Sequence, residues 1–329
     1  MEKPNLFTFA TSELSQDAFL AWLLSWADKK YFSENHSLNL CANEVINLFI
    51  GKNINIKSVY VERQYEHIDL WFVFNDNISL IIEDKTGTEE HSDQLNRYKA
   101  IAKKWCKENN HELYCAFYKT QLFSKTKSNE VRKKGFNVVV GTDLLKILKK
   151  YKDSISNEIF NDYFDILTNI ENNKSKFLNT PLEKWNEDWN CFTGFFHALE
   201  NELVITDWNY VPNPSGGFMG AWFNWHHWED DIYYYLQFEN DKLCIKLGEV
   251  IEDNPTVRDE AYNILMSKVE KSNYNGKIHK PPRFGNGSYM TLAIIDKELW
   301  YSENTNGLIN FENTVKNIKK IGNFINKIV

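Results

Sequence analysis

The first part of the chain carries apolar residues at helical spacing. Over residues 11–27, apolar side chains recur every three or four positions, as on one face of a helix. Thr11 or Ser12 can cap this helix at its start. A second helix is predicted over 40–50. The apolar face of the first helix consists of Leu14, Ala18, Ala21 and Trp22.

Three β-rich runs follow these helices. The last two runs are separated only by Asn75, Asp76 and Asn77, three residues that favour a tight turn. Because short turns join neighbouring antiparallel strands, we predict a three-stranded meander. Its strands cover 58–65, 67–74 and 78–85.

A helix and two more strands are predicted after the meander. The helix covers 89–109, and its apolar stripe consists of Leu95, Tyr98, Ile101 and Trp105. Two further runs are apolar without alternation, which is typical of strands buried on both faces. These runs are 112–120 and 136–142, and helices are predicted over 143–151 and 157–170. The order α-βββ-α-β predicts an α/β fold.

A polar stretch at 171–185 predicts a domain boundary. We therefore expect a first domain over 1–170 and a second over 171–329. The second half mixes helical and strand-like patterns, which predicts an α+β domain. Its helices are expected over 189–203, 258–271 and 311–328, and its strands over 218–228, 231–239, 242–250 and 288–296.

Composition narrows the class of protein. Of 329 residues, 43% are hydrophobic and 15% aromatic, which indicates a globular chain. The net charge of -7 argues against a broad, non-specific nucleic-acid surface, although a local basic channel beside acidic metal ligands is compatible with it. The five cysteines form no CxxC pair, which argues against a disulfide framework or a zinc knuckle. No targeting signal or membrane-spanning stretch is visible, so we expect a cytoplasmic protein without a membrane partner.

A charged cluster ends the third strand of the meander. Glu83 and Lys85 differ by two positions and therefore project from the same face of the strand. The turn at 75–77 is expected to bring Asp69 beside Glu83 across the hairpin. Asp84 points to the opposite face and is expected to contribute at most its backbone carbonyl. A salt-bridged strand end is the structural alternative.

This cluster has the residue types that phosphodiester hydrolysis needs. Carboxylate and carbonyl oxygens from Asp69, Glu83 and Asp84 favour Mg²⁺, or Mn²⁺, with water ligands retained. Such an ion lowers the pKa of a bound water and neutralises charge on a phosphate. Lys85 can orient that water and stabilise the transition state.

Together these residues resemble the signature of the PD-(D/E)XK nuclease superfamily. The matching residues are Asp69, then Glu83-Asp84-Lys85 on the adjacent strand, and Ile68 stands where a proline often precedes the first Asp. The resemblance covers about residues 8–145. It implies a restriction-endonuclease-like αβββαβ core and a metal-dependent endonuclease that acts on DNA. Restriction or phage defence is the implied role.

Two further features fit this resemblance. Gln94 and Tyr98 are four residues apart, and so share one helix face, as in the QxxxY motif of some branches of the superfamily. The resemblance implies that Gln94 is catalytic and that Tyr98 contacts substrate, although Tyr98 also belongs to the apolar stripe. Glu13 on the first helix is implied to join the metal ligands. An acid in the first turn of a helix is also favoured by the helix dipole alone.

The stretch 119–134 contains six Lys or Arg against one Glu. We expect Lys125, Lys127 and Arg132 to contact substrate phosphates. A solvated loop is the alternative interpretation of this stretch.

The second half is rich in aromatic residues between 220 and 239. They favour either a hydrophobic core or homodimer surface, or a face that stacks a base or senses a ligand. Two alternatives to a DNA nuclease therefore stay open. One is a sensor or binding module with a nuclease fold and no turnover. The other is an RNA-directed or nucleotide-activated nuclease that the aromatic half regulates.

Overall fold

A computed structural model describes residues 3–86, 93–213, 216–229 and 231–328. The chain divides into two compact units. The first unit comprises Met1–Leu122 and Lys127–Asn172, and the second comprises Phe123–Thr126 and Asn173–Val329. In the parts of the chain that the structure describes, no helix combines the length and apolarity needed to cross a bilayer.

The first unit contains a five-stranded mixed sheet in the order β1-β2-β3-β4-β5. β1, β2 and β3 form the predicted antiparallel meander, and β4 and β5 extend it as parallel neighbours. The predicted α-βββ-α-β order is confirmed. The strands are β1 Val59–Tyr65, β2 Ile68–Phe74, β3 Ile78–Lys85, β4 Glu112–Lys119 and β5 Asn137–Val140.

Helices cover both faces of this sheet. The helices are α1 Glu13–Ser25, α2 His36–Ile50, α3 Gln94–Asn109, α4 Lys125–Lys133, α5 Gly141–Tyr151 and α6 Glu158–Asn173. The predicted start of α3 at 89 lies outside the described residues. The loop interpretation of 119–134 is wrong, because α4 occupies most of this stretch and buries Val131.

The main core lies between one sheet face and helices α1, α2, α5 and α6. Leu80 and Ile82 of β3 contribute to it and are fully buried. The opposite face carries Trp71, whose ring packs edge-on against Trp105 of α3 at 5.3 Å. Because both faces are covered, the inner strands are apolar without alternation, as their sequence indicated.

Helix α1 is rotated relative to the predicted apolar face. Leu14 is 52% exposed and Ala18 is exposed, so these two residues of the predicted apolar face lie outside the core. The buried residues of the same turns are Gln16 and Asp17. The polar side of this helix start therefore faces inward, because Gln16 hydrogen-bonds there to the buried Asp84.

Two tight turns fix the register of the meander. The turn between β1 and β2 consists of Glu66 and His67, whose φ angles of 52° and 66° match the left-handed conformation of a type I′ hairpin. The turn between β2 and β3 includes Asn75, whose side chain accepts a hydrogen bond from the Lys57 amide at 2.7 Å. Leu70 therefore pairs with Ile82. This register places Asp69 of β2 beside Glu83 of β3.

The second unit contains a six-stranded antiparallel sheet in the order β10-β11-β9-β8-β7-β6. Its strands are β6 Ile205–Val211, β7 Phe218–Glu229, β8 Ile232–Glu239, β9 Lys242–Gly248, β10 Ile278–His279 and β11 Met290–Ile295. Its helices are α7 Asn190–Leu199, α8 Asn254–Val269, α9 Lys297–Trp300 and α10 Phe311–Ile328. Fully buried Trp185, Phe195 and Trp300 show that part of the aromatic content forms its core. The predicted α+β class is confirmed.

Candidate active site

The catalytic signature converges at one end of the β2–β3 hairpin. The register places Asp69 across from Glu83, as predicted. Glu83 is only 2% exposed, and its Oε1 lies 2.8 Å from Nζ of Lys85. The two side chains therefore project from one face of β3 and form a buried hydrogen-bonded pair.

Glu13, the first residue of α1, reaches the same end of β3. Its Oε1 accepts a hydrogen bond from the Thr86 amide at 3.0 Å, and its Oε2 lies 3.7 Å from Lys85 Nζ. The start of α1 thus adds a second carboxylate beside the lysine. Its predicted role as a metal ligand stays a prediction.

Asp84 occupies the opposite face of β3 and is fully buried. Its amide donates to Asp69 Oδ2 at 3.0 Å, and its Oδ1 accepts from Gln16 Nε2 at 2.5 Å. The sequence correctly placed this side chain on the other face, but it gave no indication that α1 would bind it. The ligand role of its backbone carbonyl stays a prediction.

Three buried polar residues near the signature were missed. Asp17 is 1% exposed and lies four positions after Glu13, so the helical spacing was an available signal. Gln16 had no comparable signal, because only its contact with Asp84 explains its burial. Lys119 of β4 pairs in register with Lys85 and is buried. That neighbour could be found only after the parallel β3–β4 pairing was known.

The crowding of carboxyl groups perturbs their protonation. Burial, and then the negative charge of Asp69, raises the pKa of Glu83 to about 8. Burial and the same neighbouring charge raise the pKa of Asp17 to about 7. Burial and the nearby Asp17 carboxyl raise the pKa of Asp84 well above its usual range.

Lys85 responds in the opposite sense. Burial alone would lower its pKa, but the hydrogen bond with Glu83 and the charges of the surrounding carboxyl groups, Asp69 and Glu13 among them, outweigh burial and raise it. The lysine therefore stays protonated at neutral pH. It is the cation that compensates the carboxylates here.

The donor set suits a hard divalent cation. Glu83 Oε2, Asp17 Oδ1 and Asp84 Oδ2 are buried without an amide, amine or hydroxyl donor among the described residues, and the carboxyls of Asp17 and Asp84 hydrogen-bond to each other. Within the described ranges, no three His, Cys, Asp or Glu side chains are arranged to hold a metal ion together. Asp69 and Glu83 fit as two oxygen ligands of an ion that keeps several waters, which is the usual binding mode of Mg²⁺.

Gln94 and Tyr98 lie on one face of α3, as their spacing predicted. Gln94 Nε2 donates to the Tyr98 hydroxyl at 2.9 Å. Tyr98 is buried with Leu95 and Ala102 on the apolar side of the helix. The catalytic role of Gln94 and the substrate contact of Tyr98 stay predictions.

The predicted phosphate-binding cations all have partners within the chain. Lys125 Nζ donates to the Glu200 carbonyl at 2.7 Å, within the second unit. Lys127 Nζ lies 3.8 Å from Glu130, and the Arg132 guanidinium donates to the Val138 carbonyl at 3.4 Å. Their contacts with substrate stay predictions.

Comparison with known proteins supports the resemblance drawn from these residues. Residues 4–162 match the family model of the PD-(D/E)XK nuclease superfamily. A search of curated proteins and a search of solved structures each found no match. Nucleases of this superfamily generally use divalent metal ions and act on nucleic acid. The chain therefore carries, over residues 4–162, a domain of the PD-(D/E)XK nuclease superfamily.

Proposed function

We propose that the chain is a Mg²⁺- or Mn²⁺-dependent nuclease that hydrolyses phosphodiester bonds in DNA and cuts within the strand. The convergence of Asp69, Glu83 and Lys85 at one strand end is the observation that carries this proposal. A divalent ion held there would lower the pKa of a bound water and neutralise charge on the scissile phosphate.

The residues of the chain divide the work between binding and positioning. Asp69 and Glu83 would hold the ion through their carboxylate oxygens, and the Asp84 amide fixes one Asp69 oxygen in place. The Lys85 ammonium, 2.8 Å from Glu83 Oε1, would donate to the attacking water and to a phosphate oxygen. Such donors act most strongly where charge develops in the transition state.

A charged lysine suits donation better than proton abstraction. Because Lys85 has a raised pKa, its ammonium does not accept the proton of the attacking water at neutral pH. The water must therefore lose its proton to another base, such as bulk solvent or a substrate phosphate oxygen. Lys85 contributes orientation and charge.

The second unit is proposed to recognise or regulate rather than cleave. Trp222 and Trp228 of β7 keep part of their side chains exposed to solvent, whereas Trp185 and Trp300 are core residues. Exposed aromatic rings can stack on bases or on a ligand. A homodimer formed through these rings is the competing proposal, and sedimentation equilibrium of the full chain separates the two.

The proposed cellular setting is restriction or phage defence in the cytoplasm. The family match supports a nuclease, and this setting is the use implied by the resemblance. Expression of the chain in a bacterial host, with and without an intact Lys85, tests it by phage plating. An equal number of plaques on both strains would contradict the proposed setting.

The activity itself is tested by incubating the pure chain with supercoiled plasmid, linear DNA and RNA. Each substrate is tested with Mg²⁺, Mn²⁺ or EDTA. We expect plasmid nicking or linearisation with either ion and none with EDTA. A Ser79→Ala variant, altered on the same strand but away from the cluster, is expected to cleave normally. Cleavage of RNA alone would favour the RNA-directed alternative, and cleavage of nothing would favour a sensor without turnover.

A further inference from the structure

Asp84 is a carboxyl group at a position where the fold calls for an apolar side chain. The same face of β3 carries Leu80 and Ile82, both fully buried, at the two-residue spacing of a strand. An aliphatic residue at 84 would continue this row. Because burying a carboxyl group costs free energy, the contacts of Asp84 must supply something that an aliphatic side chain cannot.

Those contacts join two structural elements that carry the site. Oδ1 of Asp84 accepts from Gln16 of α1, and the carboxyl of Asp17 lies beside it. The amide of Asp84 donates to Asp69 on β2. Asp84 is therefore bonded to the first helix through its side chain and to a proposed metal ligand through its backbone.

Gln16 is itself held from the other side. Its Oε1 accepts from the Tyr163 hydroxyl of α6 at 3.3 Å, and the Tyr163 and Tyr118 hydroxyls lie 3.2 Å apart. The Tyr163 ring stacks on Phe19 of α1 at 3.6 Å. These contacts fix both the rotation and the height of α1 against the sheet.

The rotation of α1 decides where Glu13 lies. Gln16 and Asp17 follow Glu13 by three and four positions, which is one helical turn. When Asp84 holds that turn against β3, the preceding turn brings Glu13 to the Thr86 amide and to Lys85. Leu14 is 52% exposed, and the Arg63 guanidinium donates to its carbonyl at 2.9 Å, so this further contact at the start of the helix is also polar.

We propose that Asp84 is a positioning residue that clamps α1 onto the catalytic strand through Gln16 and thereby places Glu13 beside Lys85. The catalytic consequence of this clamp rests on the proposed nuclease function. The clamp itself does not, because it consists of contacts within the chain.

Hydrogen exchange of the Thr86 amide tests the clamp directly. The amide is protected only when Glu13 is in place, because Glu13 Oε1 is its acceptor. It is measured by NMR in the full chain, in EDTA and without nucleic acid. Glu13→Ala serves as the reference for a missing Glu13 carboxylate. We expect the exchange rate of the Thr86 amide to rise tenfold or more in this variant.

Asp84→Leu and Gln16→Leu break the clamp from its two sides. Each is expected to reproduce the loss seen in Glu13→Ala, whereas Asp84→Asn, which keeps an acceptor for Gln16, stays within threefold of the wild type. Ser79→Ala is the matched control on β3 and is expected to leave Thr86 unchanged. If Asp84→Leu does not fold, the exchange rate of the Thr86 amide in Gln16→Leu provides the test. Normal Thr86 protection in the folded leucine variants would overturn the proposal.

A cleavage assay then separates this proposal from the proposed function. Glu13→Gln is measured in the wild-type and in the Asp84→Leu backgrounds. If Asp84 acts through Glu13, the substitution reduces cleavage in the wild type and has no further effect in the variant. Additive losses would overturn the positioning role. If the wild type cleaves nothing, the nuclease proposal fails, while the exchange data still decide whether the clamp exists.

Discussion

The two units bury charged side chains in opposite ways. In the second unit, Lys246 of β9 donates to Glu239 of β8 at 2.8 Å and to Thr291 of β11 at 2.9 Å. One cation thus meets one carboxylate, and a neutral hydroxyl completes the set. In the first unit, Lys85 lies near the carboxyl groups of both Glu83 and Glu13. Glu83 Oε2 is buried without an amide, amine or hydroxyl donor among the described residues.

The difference separates a structural ion pair from a binding site. A matched buried pair keeps its charges satisfied, and its loss is felt as lost stability. A group of like charges is held together at a cost in stability and perturbs the pKa values of its members, which is characteristic of functional sites. We therefore propose that the first unit carries the chemistry.

The largest expected effect is on cleavage. Asp69→Asn removes a charged ligand from the cluster, and we expect cleavage to fall on the order of 10²–10³-fold, comparable to the loss of one catalytic electrostatic contact. Its melting temperature in EDTA should not fall, because the variant relieves repulsion with Glu83. Plasmid nicking assays and thermal melts on the same preparation measure both.

Lys246→Met is the matched control from the second unit. The remaining Glu239 carboxylate is 26% exposed and partly solvated, so the loss should be about 1–3 kcal/mol of folding free energy. The variant should melt earlier while its cleavage per folded molecule stays normal. The proposed difference between the two units would be contradicted if Asp69→Asn cleaved as fast as the wild type. It would also be contradicted if Lys246→Met stayed stable but lost most of its cleavage.

The next largest effect is expected on binding through β7. Replacing Trp222 or Trp228 by Ala should weaken nucleic-acid binding by about one to two decades, since base stacking contributes about 1–3 kcal/mol per base. Trp189, an exposed tryptophan at the start of α7, is the matched control and should have little effect. Lower melting temperatures with normal affinity per folded molecule would identify these rings as structural or dimer-forming.

The sequence predicted the meander and the pairing of Asp69 with Glu83 because both follow from short-range rules. A two-residue side-chain period and a turn of known length determine which residues face each other. The rotation of α1 does not follow from such rules. Gln16 is buried because it binds Asp84. Asp84 lies 68 positions further along the chain, so no local sequence pattern indicates that contact.

Helix α4 was missed for a related physical reason. It contributes a single buried apolar side chain, Val131, so the periodic signal that identifies a helix is weak. The prediction of a loop followed from its charge. The second half was correctly assigned as α+β, but the sequence did not predict its edge strands β6 and β10 or its short helix α9.

A smaller effect is expected in the pH dependence of stability. Glu83 has an ordinary pKa of 4.5, and burial with the Asp69 charge raises it to about 8. Between these values the folded state holds a proton that the unfolded chain has lost. Stability from this group is therefore fully present below pH 4.5 and is lost as the pH rises through 8.

In EDTA, the melting temperature is expected to fall on the order of 5 °C between pH 5 and pH 8. Glu83→Gln should reduce this slope, because the amide does not titrate, and the slope that remains belongs to Asp17 and Asp84. Glu239→Gln, which alters the paired carboxylate of the second unit, should keep it. A wild-type melting temperature that rises over this range would show that Glu83 is not protonated in the folded state.

The smallest effect is expected for the basic residues of α4. Lys127→Ala and Arg132→Ala should each weaken nucleic-acid binding about two- to fivefold and reduce its salt dependence, as loss of one phosphate contact does. Lys125→Ala should change less, because its ammonium is bound to the Glu200 carbonyl. Fluorescence anisotropy at several salt concentrations measures this, with exposed Lys316→Ala of α10 as control. If the affinity of all four variants depended equally on salt concentration, α4 would not be part of the nucleic-acid-binding surface.

The most direct test of the central claim pairs metal binding with cleavage in Lys85→Met and Glu83→Gln. Lysine is proposed to act on the water and phosphate, and Glu83 to hold the ion. Calorimetric titration with Mn²⁺ should therefore show that Lys85→Met binds the ion at least as tightly as the wild type, yet cleaves no DNA. Glu83→Gln should lose both properties. Normal cleavage by Lys85→Met, or a wild-type chain that binds no Mn²⁺, would contradict the account.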